Sequence, residues 1–136
     1  MSQATADLAR RFFDEVWNQR REDVLERLAQ PDAVSHRSTG ETVSVAGFRE
    51  TVHRPFTEAI PDLRIEIEDV VASDNQAVVR WRSTGTHAGD GFGCAPSGQH
   101  IDFRGMTWLV FRDDKVVEGW DCWDETALKQ KLSTPV

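Results

Sequence analysis

Apolar and polar residues repeat with one period in the first part of this chain and another in the second, and the change falls near Pro61. Before it, Leu8, Ala9, Phe12, Phe13, Val16 and Trp17 recur at helical spacing, with Arg10, Arg11, Asp14 and Glu15 between them. That pattern predicts an amphipathic helix with a wide apolar face, closed at Asn18. Val24, Leu25 and Leu28 predict a short second helix over about residues 22–29, stopped by Pro31. An extended segment at 33–37 and a turn at Thr39-Gly40 follow. A third helix is expected from about Val45, capped by Ser44, with Phe48, Val52, Phe56 and Ala59 on its apolar face. Pro55 lacks an N–H and crowds the preceding turn, so this helix should be kinked or divided.

After Pro61 the period is two. Leu63, Ile65 and Ile67 alternate with Arg64, Glu66 and Glu68, as in a half-buried strand. A second strand is expected over 76–87 after the turn Ser73-Asp74-Asn75, then a Gly-rich loop over 88–98. Residues 101–112 and 116–123 predict a hairpin across Asp113-Asp114, and Asp124 should cap a last helix carrying Leu128 and Leu132. Helices first and then a run of adjacent strands give an α+β fold whose sheet is an antiparallel meander. No repeat or linker interrupts the 136 residues, so a single domain over 1–136 is predicted.

Composition narrows the functions such a fold serves. The net charge of −7 is spread along the chain with no basic stripe, so neither nucleic acid nor an anionic membrane is an expected partner. No run of eighteen apolar residues occurs and the first residues do not resemble a signal peptide, which predicts a cytoplasmic location. Cys94 and Cys122 form no CxxC motif and are expected to be free thiols. His36, His53, His87 and His100 show no ligand spacing, so no metal is predicted. His53 reads as a surface or boundary residue, and His87 opens a loop. Five tryptophans, with no tyrosine, suit a pocket or an interface.

The hairpin carries the candidate chemistry. If Arg112 pairs with Lys115 and the ladder is regular, Asp121 lies opposite Met106. One face then holds His100, Asp102, Arg104, Met106, Trp108, Asp121 and Trp123. A one-residue slip would instead pair Asp121 with Gly105 or Thr107. A carboxylate among Met106, Trp108 and Trp123 would have a raised pKa and could take a proton from carbon beside a carbonyl. The other reading has Asp121 solvated or paired with Arg104.

The stretches RRFFDEVWN (10–18), SHR (35–37), FRETVHRPFTEAIPDLRIEIEDVVASDNQAVVRWRSTGTH (48–87) and PSGQHIDFRGMTWLVFRDDKVVEGWDCWDETALKQKL (96–132) span nearly the whole chain. In these the chain resembles the SnoaL-like polyketide cyclases, within the nuclear transport factor 2-like superfamily. The resemblance implies a cone-shaped fold, a strongly bent sheet packed on N-terminal helices around an apolar pocket. It implies ring closure of a polyketide ester by intramolecular aldol condensation, without metal or cofactor. Asp121 in GWDCW matches the aspartate that serves the cyclases as acid and base. Where they carry a pocket histidine on the neighbouring strand, this chain has Met106, Thr107 and Trp108. SHR lies where many members have a cavity histidine, so His36 is the candidate second catalytic group.

The resulting site has Asp121 and His36 as catalytic residues and Trp17, Phe56, Arg104, Met106, Trp108 and Trp123 against the substrate. Its expected ligand is a small apolar or aromatic carbonyl compound. Assembly as a homodimer or homotetramer is implied through the sheet, where Arg80 and Arg82 share one face. Two other functions use the same scaffold. A limonene-type epoxide hydrolase would need Asp102, Arg104 and Asp121 as an Asp–Arg–Asp group, although that family's R-x-D order is reversed here and its tyrosine is missing. A small-molecule-binding or stress-associated domain would do no chemistry. Steroid isomerases of the superfamily use a tyrosine to hold the enolate, and this chain has none.

Overall fold

Helices before Pro61 and strands after it form as the two periods require. The computed structural model describes residues 2–133. The first helix, α1 (Ser2–Arg11), widens into π-type turns over Phe12–Asn18. It is followed by α2 (Glu22–Leu28), β1 (Ala29–His36) and β2 (Thr42–Ser44). The predicted third helix is divided, as Pro55 demands, into α3 (Val45–Phe48), π-type turns over Arg49–His53 and α4 (Arg54–Ala59). Pro55 falls in the first turn of α4, directly after the π-type turns, and the backbone stays right-handed helical through His53 and Arg54. Then come β3 (Arg64–Ala72), β4 (Gln76–Thr86), β5 (His100–Arg112), β6 (Lys115–Cys122) and α5 (Glu125–Ser133). Both expected caps are present: Ser44 Oγ accepts from Gly47 N at 3.1 Å and Asp124 Oδ1 from Ala127 N at 2.9 Å.

The six strands form one curved, unclosed sheet in the order β2-β1-β6-β5-β4-β3. Neighbours are antiparallel except β1 and β6, which run parallel. Local alternation does not display that pair, because its partners are separated by most of the chain. Pro31 sits in β1 between Ala29 and Val34, where the β1–β6 register shifts and no ladder bond is asked of it.

The β5–β6 turn has two residues, Asp113 and Asp114, with φ of 53° and 61°. This left-handed pair matches the twist of an antiparallel ribbon, and aspartate tolerates it better than most residues. Arg112 therefore pairs with Lys115 as predicted, but the ladder is not regular. Phe111 opposes Val116 while Val110 opposes Glu118, so Val117 is an extra residue in β6. Every β6 residue beyond it changes face relative to β5, and Asp121 lies opposite Thr107. This is the slipped register, and the bulge is its cause.

The concave face of the sheet presents Val79, Trp81, Ile101, Leu109 and Phe111 to Phe12, Phe13, Val16, Trp17, Phe48 and Phe56 of the helices, all within one buried cluster. Burial of that apolar area drives the packing. Polar contacts then fix where the first helix ends. Asn18 Nδ2 donates to Ile65 O at 2.8 Å and its Oδ1 accepts from Ile65 N at 2.7 Å, so one side chain acts as a ladder partner for edge strand β3. Arg20, at φ 56°, donates to Pro61 O at 2.6 Å and Leu63 O at 2.9 Å. The 88–98 loop lies on α4: Ala88 N and Gly89 N both donate to Ala59 O, and a Cβ on Gly89 would meet Glu58 O at 1.8 Å. Asn18→Ala leaves both Ile65 backbone groups unpaired and should cost about 1–3 kcal/mol in urea unfolding. An unchanged midpoint would show that this clamp does not hold helix to sheet.

Candidate active site

Two adjoining chambers lie between the concave sheet and the helices. Ala33, Val34, Val45, Phe48 and Leu109 are among the residues around the first. The second is bounded by Phe56, Leu63, Trp81, Ser83, Phe103 and Trp123 with their neighbours. Phe13, Trp17, Thr107 and Asp121 line both, so the carboxyl stands where the chambers meet. Neither lining contains Lys, Arg or His.

A chain of side-chain hydrogen bonds orients that carboxyl. Trp81 Nε1–H donates to Thr107 Oγ1 at 3.0 Å, and Thr107 Oγ1 lies 2.8 Å from Asp121 Oδ1. Thr107 accepts from the indole and gives its single proton to Asp121, which fixes Oδ1 and leaves Oδ2 for the cavity. Gly105 makes this possible, because a Cβ there would meet the Trp81 ring at 2.5 Å. Burial among apolar side chains pushes the Asp121 carboxyl up to about 6, against the lowering effect of the Thr107 hydrogen bond. Glu125 raises it further and Arg37 lowers it. Those two groups pair with each other at 2.6 Å and are themselves nearly buried, so their opposed fields largely cancel at Asp121. Asp121 is half-buried, and it borders both chambers. It is thus a base at neutral pH that can also hold a proton a little below it.

The predicted site residues divide between the two faces of the sheet. Trp17, Phe56, Trp123 and Asp121 come together around the second chamber. Trp17 meets Phe56 edge-on at 6.4 Å, and Phe56 meets Trp123 at 5.5 Å. Arg104, Met106 and Trp108 do not join them. They lie on the convex face, from which the Val117 bulge removes Asp121, and Met106 and Trp108 keep 50% and 49% of their surface there. Arg104 is paired there with Glu68 at 3.4 Å, and Trp108 Nε1 donates to Gln76 Oε1. Asp102 is also outside, held by Nε and Nη2 of Arg82 at 2.8 and 2.6 Å, which keeps its carboxyl below the usual range. The Asp102–Arg104–Asp121 group required of an epoxide hydrolase is therefore split by the sheet itself.

His36 does not reach the cavity either. It stacks on Trp120 at 5.0 Å, with Nε2 2.6 Å from Glu118 Oε2, because β1 runs parallel to β6 in a register that aligns His36 with Trp120. Its neighbour Ser35 borders the first chamber instead. His53 is not a boundary residue: it is buried at 1% exposure, packs on Trp17, and bonds Val16 O through Nε2 at 2.5 Å. Burial holds it below the ordinary histidine range. His87 is wholly buried, its Nδ1 accepting from Ser97 N, and so ties the 88–98 loop to β4. Thr107, Trp81, Ser83 and Phe103 are the site residues the sequence reading missed. The alternation of β4, with Val79 and Trp81 opposite Arg80 and Arg82, was the available signal for Trp81 and Ser83.

Sheet topology and an apolar cavity lined by the Asp121 carboxyl define an α+β pocket protein of the nuclear transport factor 2-like fold. The comparisons give the family. The SnoaL-like polyketide cyclase family model matches residues 7–132, and the chain belongs to that family. A proposed SnoaL-like polyketide cyclase from Jannaschia sp. CCS1 superposes with a TM-score of 0.88 at 25% identity, over 99% of this chain and 95% of that one. AclR, a proposed hydroxylase from Streptomyces galilaeus, is similar at 27% identity and a TM-score of 0.81, over 95% of this chain and 80% of its own. A proposed polyketide cyclase from Acidithiobacillus ferrooxidans aligns at 25% identity and 0.77, over 96% and 94%. No curated protein matches the chain. Among the described residues no helix is long and apolar enough to cross a membrane.

The raised Asp121 pKa fixes the sign of a stability effect. The fold favours the protonated form, so the stability tied to that proton is complete below about pH 4 and lost as pH rises through about 6. Asp121→Asn, always neutral, should therefore be more stable than the parent at pH 8, by on the order of 2 kcal/mol, with the gap closing below pH 4. Urea unfolding at the two pH values measures it; a variant less stable at pH 8 would mean the carboxylate is well solvated or paired.

Proposed function

We propose that this protein closes a carbon–carbon ring within a small carbonyl compound by proton transfer through Asp121. The observation that carries the reading is the single cavity carboxyl, raised by burial to about 6 and fixed through one oxygen by Thr107. Membership of a cyclase family and likeness to proposed polyketide cyclases support it. In this reading Asp121 Oδ2 takes a proton from carbon between two carbonyl groups. The enolate carbon then attacks another carbonyl carbon of the same molecule, and the new alkoxide takes the proton back from Asp121. The cycle returns the protein unchanged, the product is an isomer of the substrate, and no metal or cofactor enters it.

The cavity lining bears on the substrate class. With no cation beside Asp121 and the Thr107 proton already given to it, little in the chambers holds an enolate oxygen. Such a site suits a substrate whose C–H is acidic by its own structure, as the methylene of a β-keto ester is. Aromatic walls from Trp17, Phe56, Trp81 and Trp123 suit a flat, apolar remainder. His36 has no part in this scheme.

A naphthyl β-keto ester in deuterated water tests the chemical step, with loss of its methylene proton signal followed by NMR. Protein-dependent exchange above the buffer rate should rise as pH increases through about 6 and fall at least about 100-fold in Asp121→Asn. Equal exchange by parent and variant would end the assignment.

The same reading includes a homodimer or homotetramer built on the convex sheet face, in a cytoplasmic setting consistent with free Cys94 and Cys122. Met106, Trp108 and Trp120 form an exposed apolar patch there, bordered by ion pairs such as Arg82–Asp102 that are satisfied within one chain. Trp108→Glu should give a monomer in light scattering at a concentration where the parent is a dimer or tetramer. A parent that is monomeric would remove this part of the proposal.

A further inference from the structure

Ser83 faces inward from the middle of β4 and borders the second chamber, at 1% exposure. Its hydroxyl has no hydrogen-bond partner among the described residues. Trp81 and Phe103 flank it, and Ile65 and Leu63 complete an apolar surround. A buried hydroxyl without a partner costs about 1–3 kcal/mol, and alanine would fill the same space without that cost. Packing therefore gives no reason for an oxygen at this point of the wall, whereas a ligand oxygen would.

We propose that Ser83 is a specificity residue, the hydrogen-bonding end of the second chamber, which selects substrates carrying a hydroxyl or carbonyl oxygen remote from the reacting carbon. This rests on the reading of Asp121 as the base and extends it to the far end of the ligand. Register gives the span. Ser83 pairs with Phe103 on β5, whereas Asp121 pairs with Thr107, four residues further along the same strand. Four residues of strand rise about 13 Å, and two strand spacings add about 10 Å across the sheet, so the two backbone positions lie about 16 Å apart. A rigid bicyclic system extended by its keto ester, with oxygen at both ends, bridges the gap between the two inward side chains, past the indole of Trp81, which lies between the two levels opposite Gly105. Besides Ser83 the wall carries polar atoms on Thr107 and Asp121, which bond each other, and on the indoles of Trp17, Trp81 and Trp123; among the described residues Ser83 is the chamber hydroxyl that has no partner.

Two probes separate this claim from the one beneath it: the naphthyl β-keto ester, and its analogue with a single hydroxyl at the far end of the ring system. By calorimetry the parent protein should bind the hydroxylated ester about tenfold tighter than the plain one. In Ser83→Ala that advantage should fall below about twofold, while thermal stability is equal or higher. An advantage that is absent in the parent, or that survives in Ser83→Ala, overturns the subsite, and Asp121-dependent exchange then still stands. A marked drop in melting temperature in Ser83→Ala also overturns it, since the hydroxyl would then have a partner within the fold. If the parent neither binds the plain ester nor exchanges its proton, the Asp121 reading fails and the subsite with it.

Discussion

The chemistry of this cavity depends on one extra residue. Val117 interrupts the β5–β6 ladder just after the hairpin turn, and side chains beyond it change sides. Without the bulge Asp121 would share the convex face with Arg104, Met106 and Trp108, next to solvent and to a guanidinium. With it, Asp121 faces the helices and meets Thr107, whose own hydroxyl is held by Trp81. A bulge costs a little ladder regularity and re-aims every later residue of its strand, which is how a sheet delivers a carboxyl to an otherwise apolar interior. The same displacement supplies the solvent side with its exposed aromatic patch.

Burial and hydrogen bonding act on Asp121 in opposite directions, and the balance decides its use. Desolvation favours the neutral acid, while the Thr107 bond favours the anion. The outcome near 6 leaves both protonation states within reach, as the proposed proton transfer requires. Arg37 and Glu125, close enough to be felt, are paired with each other, so the site borrows little net charge from outside. The chambers are accordingly apolar in wall, and Asp121 is the carboxyl that lines them.

Much of the fold was legible because its signals are local. Helical and strand periods, Ser44 and Asp124 as caps, Pro55 as a divider and the two-residue turn at Asp113-Asp114 all act within a few residues of themselves. The face of Asp121 was not legible, since alternation read from Arg112 and Lys115 assumes an unbroken ladder and nothing in VVEGWD announces the bulge. The parallel β1–β6 pair was equally hidden, and with it the fate of His36, whose ring stacks on Trp120 outside the cavity. His53 misled for another reason: it lies beside an apolar stripe, but a carbonyl at Val16, within π-type turns, gave it a buried partner. Trp17 and Phe56 border the cavity from the helices, as their apolar stripes imply, whereas Trp123 reaches the helix side together with Asp121 only through the slipped register.

The central claim is that Asp121 is a desolvated carboxyl facing the cavity, and its ionisation can be observed directly. Carbon-13 NMR of the side-chain carboxyl, assigned by comparison with Asp121→Asn, should show a titration centred near pH 6. A midpoint near the ordinary 3.8 would mean that water or a cation reaches the group, and the account of this cavity as a proton-transfer site would be contradicted.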